Sequence, residues 1–340
     1  MFVILLASDT YGKISSDGIT MMSCSKIVES ESEHMMCCAS CGIAEDDDNK
    51  KLKTCTACKS VRYCSVMCQK KHRPQHKRAC KKRAAELRDE ILFRQPESTH
   101  LGDCPICLLP LPIDPKKSSM MSCCSKVICG GCAYANQMRQ REAKLEDICP
   151  FCRHPSPDNV ADINRNRMKR VEANNPAAIC MMGFIRFNEG DDQGAFNYWT
   201  KAVELVNSAD AHFQLACLYH EGKGVEKDTK KKVYHLEHAA IGGHLDARFN
   251  LGVIEQHNGR LERAIKHWMI AAKLGDDSAV EALKNRFREE SISKDVFAEA
   301  LRAHKAAVDA TKSPQRDEAE AAAAKDGGRK SSWALGWRLA

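Results

Sequence analysis

Cysteine spacing constrains this chain more than any other feature of its sequence. It has 19 cysteines in 340 residues, and all but Cys180 and Cys217 fall between Cys24 and Cys152. Most come in close pairs: Cys38-x2-Cys41, Cys55-x2-Cys58, Cys64-x3-Cys68, His76-x3-Cys80, then Cys104-x2-Cys107, Cys123–Cys124, Cys129-x2-Cys132 and Cys149-x2-Cys152. Such pairs form either a disulfide framework or metal sites, and the redox compartment decides between them. The N-terminal MFVILLASDT has too short an apolar run, without a basic start, for a secretory signal or a membrane span. The expectation is therefore a reducing compartment, cytoplasmic or nuclear, with no membrane association. There the pairs bind zinc, and two blocks of eight ligands make four closed, four-coordinate sites.

In the first block, Cys-x3-Cys and His-x3-Cys put two ligands on one face of a helical turn. RYCSVMCQKKHRPQHKRAC has helical character, being charged, free of Gly and broken only at Pro74. So short a segment buries little apolar surface, and metal would supply folding energy directly. Residues 38–80 closely resemble the MYND finger, sharing its Tyr-Cys-x3-Cys-Gln and terminal His-x3-Cys in YCSVMCQKKHRPQHKRAC. The resemblance implies interleaved sites, with Cys38, Cys41, Cys64 and Cys68 on one zinc and Cys55, Cys58, His76 and Cys80 on the other. Cys37 rivals Cys38, but only Cys38 gives the two-residue spacer. His72 falls where the family uses no ligand and reads as a solvated helix residue. MYND fingers serve as protein-interaction modules, some of them binding proline-containing peptides. Arg73 stands where the family often has the Trp of that peptide groove.

The net charge of +7 is small for this length. Lys50 to Arg88 nevertheless carries fourteen Lys or Arg against one acid, Glu86. Phosphate attracts such clusters, but no aromatics are interleaved for stacking on single strands and no reading helix accompanies them. A solvated basic helix face is expected, and nucleic acid is not an expected partner.

The second block runs CPICLLPLPIDPKKSSMMSCCSKVICGGCAYANQMRQREAKLEDICPFCR, with outer spacers of 15 and 16 residues. It resembles a RING finger in its all-cysteine form, in which the fourth ligand precedes the fifth as Cys124 precedes Cys129. The RING order puts Cys104, Cys107, Cys129 and Cys132 on one zinc, and Cys123, Cys124, Cys149 and Cys152 on the other. Adjacent residues of extended chain point apart, so Cys123 and Cys124 share a metal only across a sharp bend. Otherwise one of them ligates and His154 fills the gap. The resemblance also implies roles in ubiquitin transfer: Ile106 and Pro150 dock the ubiquitin-conjugating enzyme, and Arg153 positions ubiquitin. Tyr134 or Met138 would add an apolar contact from the following helix.

Beyond HPSPDNVADINRN the chain reads as repeated helix pairs. Ala178-x3-Met182, Ala211-x3-Leu215, Ala247-x3-Leu251 and Ala279-x3-Leu283 recur 33, 36 and 32 residues apart, the period of paired-helix solenoids. Ala239, Ala240, Ala271 and Ala272 are expected in the core, with Cys180 and Cys217 as small buried hydrophobes. The scattered His235, His238, His244, His257 and His267 do not read as a metal site. The turn Tyr219, Gly222, Gly224, Val225 resembles the Sel1-type repeat, a tetratricopeptide relative, which implies a concave face that binds protein or peptide.

The expected architecture is multi-domain: two small zinc-stabilised cross-braced fingers followed by an all-α helical-repeat solenoid. Its parts are an unassigned, disordered 1–36, fingers at 38–80 and 104–153, a linker at 154–174, repeats at 177–308 and a low-complexity disordered tail at 309–340. The functional expectation is a RING-type ubiquitin ligase recruiting substrate through the repeats and the MYND finger. The alternative is a noncatalytic zinc-finger adaptor, and the third reading a nucleic-acid-binding zinc protein.

Overall fold

The computed structural model describes residues 37–45 and 51–325. The expectation for residues 1–36, and that part of the tail expectation covering 326–340, lie outside the described residues. The chain divides into two compact units, Met1–Glu90 and Ile91–Ala340.

In the first unit β1 (Lys53–Thr54) pairs antiparallel with β2 (Arg62–Tyr63), Lys53 opposite Tyr63. The long helix α1 (Val66–Leu92) follows and continues across Pro74. Its interior holds no apolar stripe: Leu92 is its only buried residue. The buried cluster of this unit is Cys38, Leu52, Cys55, Cys58 and Tyr63, mostly thiols. So little hydrocarbon cannot offset the entropy of ordering the segment.

The second unit contains the other cysteine block and the helical repeat. β3 (Ser118–Met120) and β4 (Val127–Cys129) form a hairpin with Ser119 opposite Ile128. It leads into α2 (Gly130–Glu142), and Leu111, Ile128 and Ala133 pack with Cys104, Cys129 and Cys132.

The segment expected to be a linker, 154–174, holds the helix α3 (Val160–Glu172), capped by Asn159. Polar composition hides a stripe at helical spacing, since Ile163, Arg167 and Val171 are its buried residues.

Four helix pairs follow: α4 (Pro176–Asn188) with α5 (Asp192–Val206), α6 (Ala209–Glu221) with α7 (Thr229–Ile241), α8 (Leu245–His257) with α9 (Leu261–Lys273), and α10 (Asp277–Arg288) with α11 (Lys294–Ala310). The recurring Ala178, Ala211, Ala247 and Ala279 are all buried. The backbone N–H of each donates to the side chain of its N-cap, Asn175, Ser208, His244 and Asp276 respectively, so the sequence period marks the start of every first helix. Small residues also set how closely a pair packs. A Cβ at Gly183 would lie 2.3 Å from the Trp199 indole, and one at Gly252 would lie 2.4 Å from that of Trp268. Where the fourth pair lacks a turn glycine, Glu290 takes the left-handed conformation, at φ 56°. Ala239, Ala240, Ala271 and Ala272 are fully buried. Cys180 is buried and Cys217 half-buried, and burial pushes the Cys217 thiol up to about 11. The architecture is thus two cysteine-rich fingers followed by an all-α solenoid.

The tail expected to be disordered from 309 is ordered over its first part. α11 ends at Ala310, and α12 (Pro314–Lys325) packs along α2 with Arg316 and Ala319 buried. Alanine-rich composition looks featureless, yet it favours helix, and the docking surface comes from residues nearly two hundred positions away.

Candidate metal centres

Four of the cysteine pairs, those starting at Cys38, Cys55, Cys104 and Cys149, sit on a tight turn. Cys38 N–H donates to Ile43 O and Cys38 O accepts from Gly42 N–H, both at 2.8 Å. The same pair of bonds joins Cys104 to Leu109 and Leu108, and Cys149 to His154 and Arg153. The residue after the second ligand takes positive φ each time: Gly42, Leu108 and Arg153, as does Lys59 after Cys58. This turn points both thiols to one side while their neighbours' N–H groups face the sulfurs.

The adjacent Cys123 and Cys124 use the same turn differently. Met121 occupies the place of the first cysteine: its N–H donates to Lys126 O at 2.9 Å, its carbonyl accepts from Ser125 N–H at 2.7 Å, and Ser125 has φ 57°. The two thiols therefore stand at the third and fourth positions of a tight turn, where the bend overrides the strand-like alternation. His154 stays exposed and outside the donor cluster.

The structure brings the donors together in four quartets: Cys38, Cys41, Cys64 and Cys68; Cys55, Cys58, His76 and Cys80; Cys104, Cys107, Cys129 and Cys132; Cys123, Cys124, Cys149 and Cys152. Within each, the donor atoms lie within 4.8 Å of one another. Cys37 belongs to none of them. Tetrahedral zinc–thiolate bonding requires sulfur–sulfur edges of about 3.8 Å, given its ordinary bond length. The observed edges include Cys55–Cys80 and Cys107–Cys129 at 3.8 Å, Cys124–Cys149 at 3.9 Å, Cys41–Cys64 at 3.5 Å and Cys123–Cys152 at 3.3 Å. His76 turns Nε2 to Cys58 Sγ at 3.3 Å. Donor type, number and spacing all fit zinc.

The thiols are also poised to ionise unevenly. The Cys129 thiol holds Cys104 down to about 4 against the effect of burial, and the Cys123 thiol does the same for Cys149, at about 5. Cys129 and Cys123 go up in return. At Cys38 burial opposes ionisation, but backbone N–H groups of Cys64, Cys41 and Ser40 outweigh it and bring the thiol to about 6. Four thiols packed this closely cannot all ionise unless a divalent cation sits among them.

His72 is not a solvated residue. It is half-buried, its Nδ1 is 3.1 Å from the Tyr63 hydroxyl, and its ring stacks on His76 at 5.5 Å. Burial holds its pKa down, and the ring braces the imidazole ligand. A histidine one turn before His76 on α1 was the available signal. Arg73 is exposed on α1.

The RING-like positions are open to solvent. Ile106 is 42 % exposed, Pro150 is half-buried and Arg153 is exposed, with φ 59°. Tyr134 and Met138 are half-buried on α2, whose Asn136 and Gln140 amides both donate to Ile148 O.

One cluster that sequence reading missed joins His100, Asp210 and His244. Asp210 Oδ1 is 3.0 Å from His100 Nε2 and 3.7 Å from His244 Nε2, and the two imidazoles stack at 4.2 Å. His244 Nδ1 accepts the Ala247 N–H as the cap of α8, which leaves Nε2 as its protonated nitrogen. That tautomer turns an N–H, not a free lone pair, toward the carboxylate. The three residues form a clamp between the irregular segment leading into the second finger and the solenoid.

Residues 38–80 match the family model of the MYND finger, a span containing both quartets of the first unit. No curated protein matches the chain. Solved structures that resemble it include a Sel1 repeat protein from Oxalobacter formigenes, 20% identical, covering 53% of this chain and 71% of that one at a TM-score of 0.38. Another is a protective antigen of uropathogenic Escherichia coli strains displaying an SLR fold. It is 21% identical, covering 50% of this chain and 37% of that one, at a TM-score of 0.34. The helical-repeat architecture stands on this chain's own helix pairs. Finger match and donor clusters together support a zinc-binding protein built on a helical repeat. Among the described residues no helix is long and apolar enough to cross a membrane.

Proposed function

We propose that the protein is a RING-type ubiquitin ligase whose helical repeats, with the MYND-like finger, select the protein to be modified. The observation that carries this reading is a cross-braced donor arrangement with Ile106 and Arg153 exposed beside it. The first and third cysteine pairs converge, as do the second and fourth. Four zinc ions would occupy the quartets, one in each, and shape the two fingers. An apolar side chain 42 % open to water at the centre of a knuckle has no packing role to explain it. Ile106 and Pro150 would dock a charged ubiquitin-conjugating enzyme, and Arg153 would hold its ubiquitin in a reactive pose. Such catalysis is orientation of two bound reactants and needs no nucleophile from this chain.

A second reading, a noncatalytic adaptor, draws support from α12. That helix already packs along α2, part of the surface on which a RING of the ordinary kind receives its partner enzyme. In both readings the repeats bind protein. Leu205, Val206 and Tyr234 are each at least 44 % exposed on second helices and offer apolar contact.

The deciding experiment is discharge of ubiquitin from a panel of charged conjugating enzymes onto free lysine. Intact protein is compared with Ile106→Ala and Arg153→Ala after all three are shown to hold equal zinc. Acceleration lost by ten-fold or more in both variants is expected from the orientation such contacts provide. No acceleration with any enzyme from fully metallated protein would leave the adaptor.

A further inference from the structure

Arg316 lies 206 residues beyond Pro110 in sequence, yet its guanidinium closes on the knuckle of the third quartet. One terminal nitrogen donates to Pro110 O at 2.7 Å and to Thr311 O. The other donates to Leu109 O at 3.3 Å and to the Cys107 sulfur at 3.5 Å. The backbone around Arg316 comes so near α2 that a Cβ at Gly131 would lie 2.9 Å from the Arg316 nitrogen. Lys117 and Glu320 tie the same helix to the finger at 2.8 Å. Arg316 is only 5 % exposed, and among the described residues it forms no ion pair with a carboxylate. A buried cation needs a counter-charge. The candidates at hand are the thiolates of Cys104, Cys107, Cys129 and Cys132, which with one divalent ion carry a net double negative charge. Cys104 and Cys129 have almost no exposure through which water could screen that charge.

We propose that Arg316 is a positioning residue of this metal centre: it donates to the Cys107 thiolate, offsets the charge of the thiolate set and so makes metal retention depend on α12. The sulfur that accepts this bond is a weaker base and a weaker nucleophile, so it gives up the metal to protons or electrophiles more slowly. The C-terminal helix is then part of the finger, and the finger cannot be cut out as 104–153 without loss.

This inference rests on the zinc reading of the quartet, and the test separates the two. Zinc content of the full chain is measured first; fewer than four ions would sink the zinc reading itself. Arg316→Gln and Arg316→Lys are then compared with the parent for zinc release to a chelator, for alkylation of Cys107 by mass spectrometry, and for cadmium NMR after metal exchange. In Arg316→Gln one ion of the four should leave about 10- to 100-fold faster. Cys107 should alkylate faster, and one cadmium resonance should move. Arg316→Lys, keeping the charge but not the fork, should fall between. Release of all four ions at the parental rate with Cys107 no more reactive would overturn the proposal. So would faster release from a chain ending at Ser313 but not from Arg316→Gln, because packing of α12 alone would then account for the hold. If Arg316→Gln does not fold, an unmoved cadmium resonance in Arg316→Lys decides against it.

Discussion

The two fingers use the same knuckle turn and the same number of ligands, yet they are supported in different ways. In the first, the buried cluster is three thiols and Tyr63 around Leu52, and the helix that carries Cys68, His76 and Cys80 has no apolar face. In the second, the thiols of the Cys104 quartet are walled in by the rest of the unit, while the other quartet keeps Cys152 exposed. Asp210 and Gly243 hold the segment before Cys104 through His100, and α12 closes the other flank through Arg316 and Lys117. A metal site can therefore replace a hydrophobic core or be built into one. The second arrangement ties metal retention to the stability of a neighbouring fold.

Removing metal should separate the fingers most sharply. With a strong chelator, residues 38–80 should lose all protection from hydrogen exchange, because nothing else holds them. The hairpin β3–β4 and α2 should keep partial protection through their solenoid contacts. Equal and complete loss in both would show that these contacts contribute nothing without the ion.

A smaller effect probes the clamp at His100. Burial alone would lower its pKa, but Asp210 raises it above the ordinary value, while Asp210 itself is held low. A raised histidine pKa gives stability that is full below its unfolded value and lost as pH rises through the folded one. The depressed Asp210 pKa gives stability that is lost as pH falls through the carboxylate range. Asp210→Asn should therefore cost most near pH 6 and progressively less toward pH 9. Because the Asp210 side chain is 41 % exposed and water screens the pair, about 1 kcal/mol is expected at the maximum. Thermal melts of variant and parent across that range measure it. A cost that does not vary with pH would remove the ion pair from the account, and faster zinc release from the first finger would break the comparison.

The smallest effect is Tyr63→Phe, which removes the hydroxyl facing His72 and leaves the ring packing of the first finger intact. A loss of about 0.5–1.5 kcal/mol in that finger's metal-linked stability is expected. Exchange protection of 38–80 at limiting zinc would register it, with the second finger unchanged. A variant matching the parent would mean that ring stacking alone braces His76.

What could be read from sequence followed the range of the interaction. The sixteen donors were legible because thiols at fixed short spacing have few other uses, and the helix pairs because Ala178, Ala211, Ala247 and Ala279 recur with a solenoid's period. Helix α3 escaped because one of its three core positions is the aliphatic stem of Arg167, which composition scores as polar. The docking of α12 and the His100–Asp210–His244 clamp escaped for a different reason. Their partners lie on separate segments, so no window of sequence contains them, and neither feature has a period. His72 was visible but ambiguous, since a half-buried brace and a solvated residue look alike one turn from a ligand.

Met121 carries a lesson about how such centres vary. Its backbone makes the bonds that Cys104 and Cys149 make, while the thiol it would supply has moved two places along the same turn. The peptide fold of a knuckle thus comes before its chemistry, and donors can slide along an unchanged loop without undoing the cage. Protein engineers who graft metal sites have correspondingly more freedom than a fixed spacing rule implies. Three of the four knuckles in these two blocks, with Lys59, Leu108 and Arg153, reach the left-handed position without glycine, as does the Met121 turn with Ser125. A search keyed to turn shape would find frameworks that a search keyed to cysteine intervals passes over.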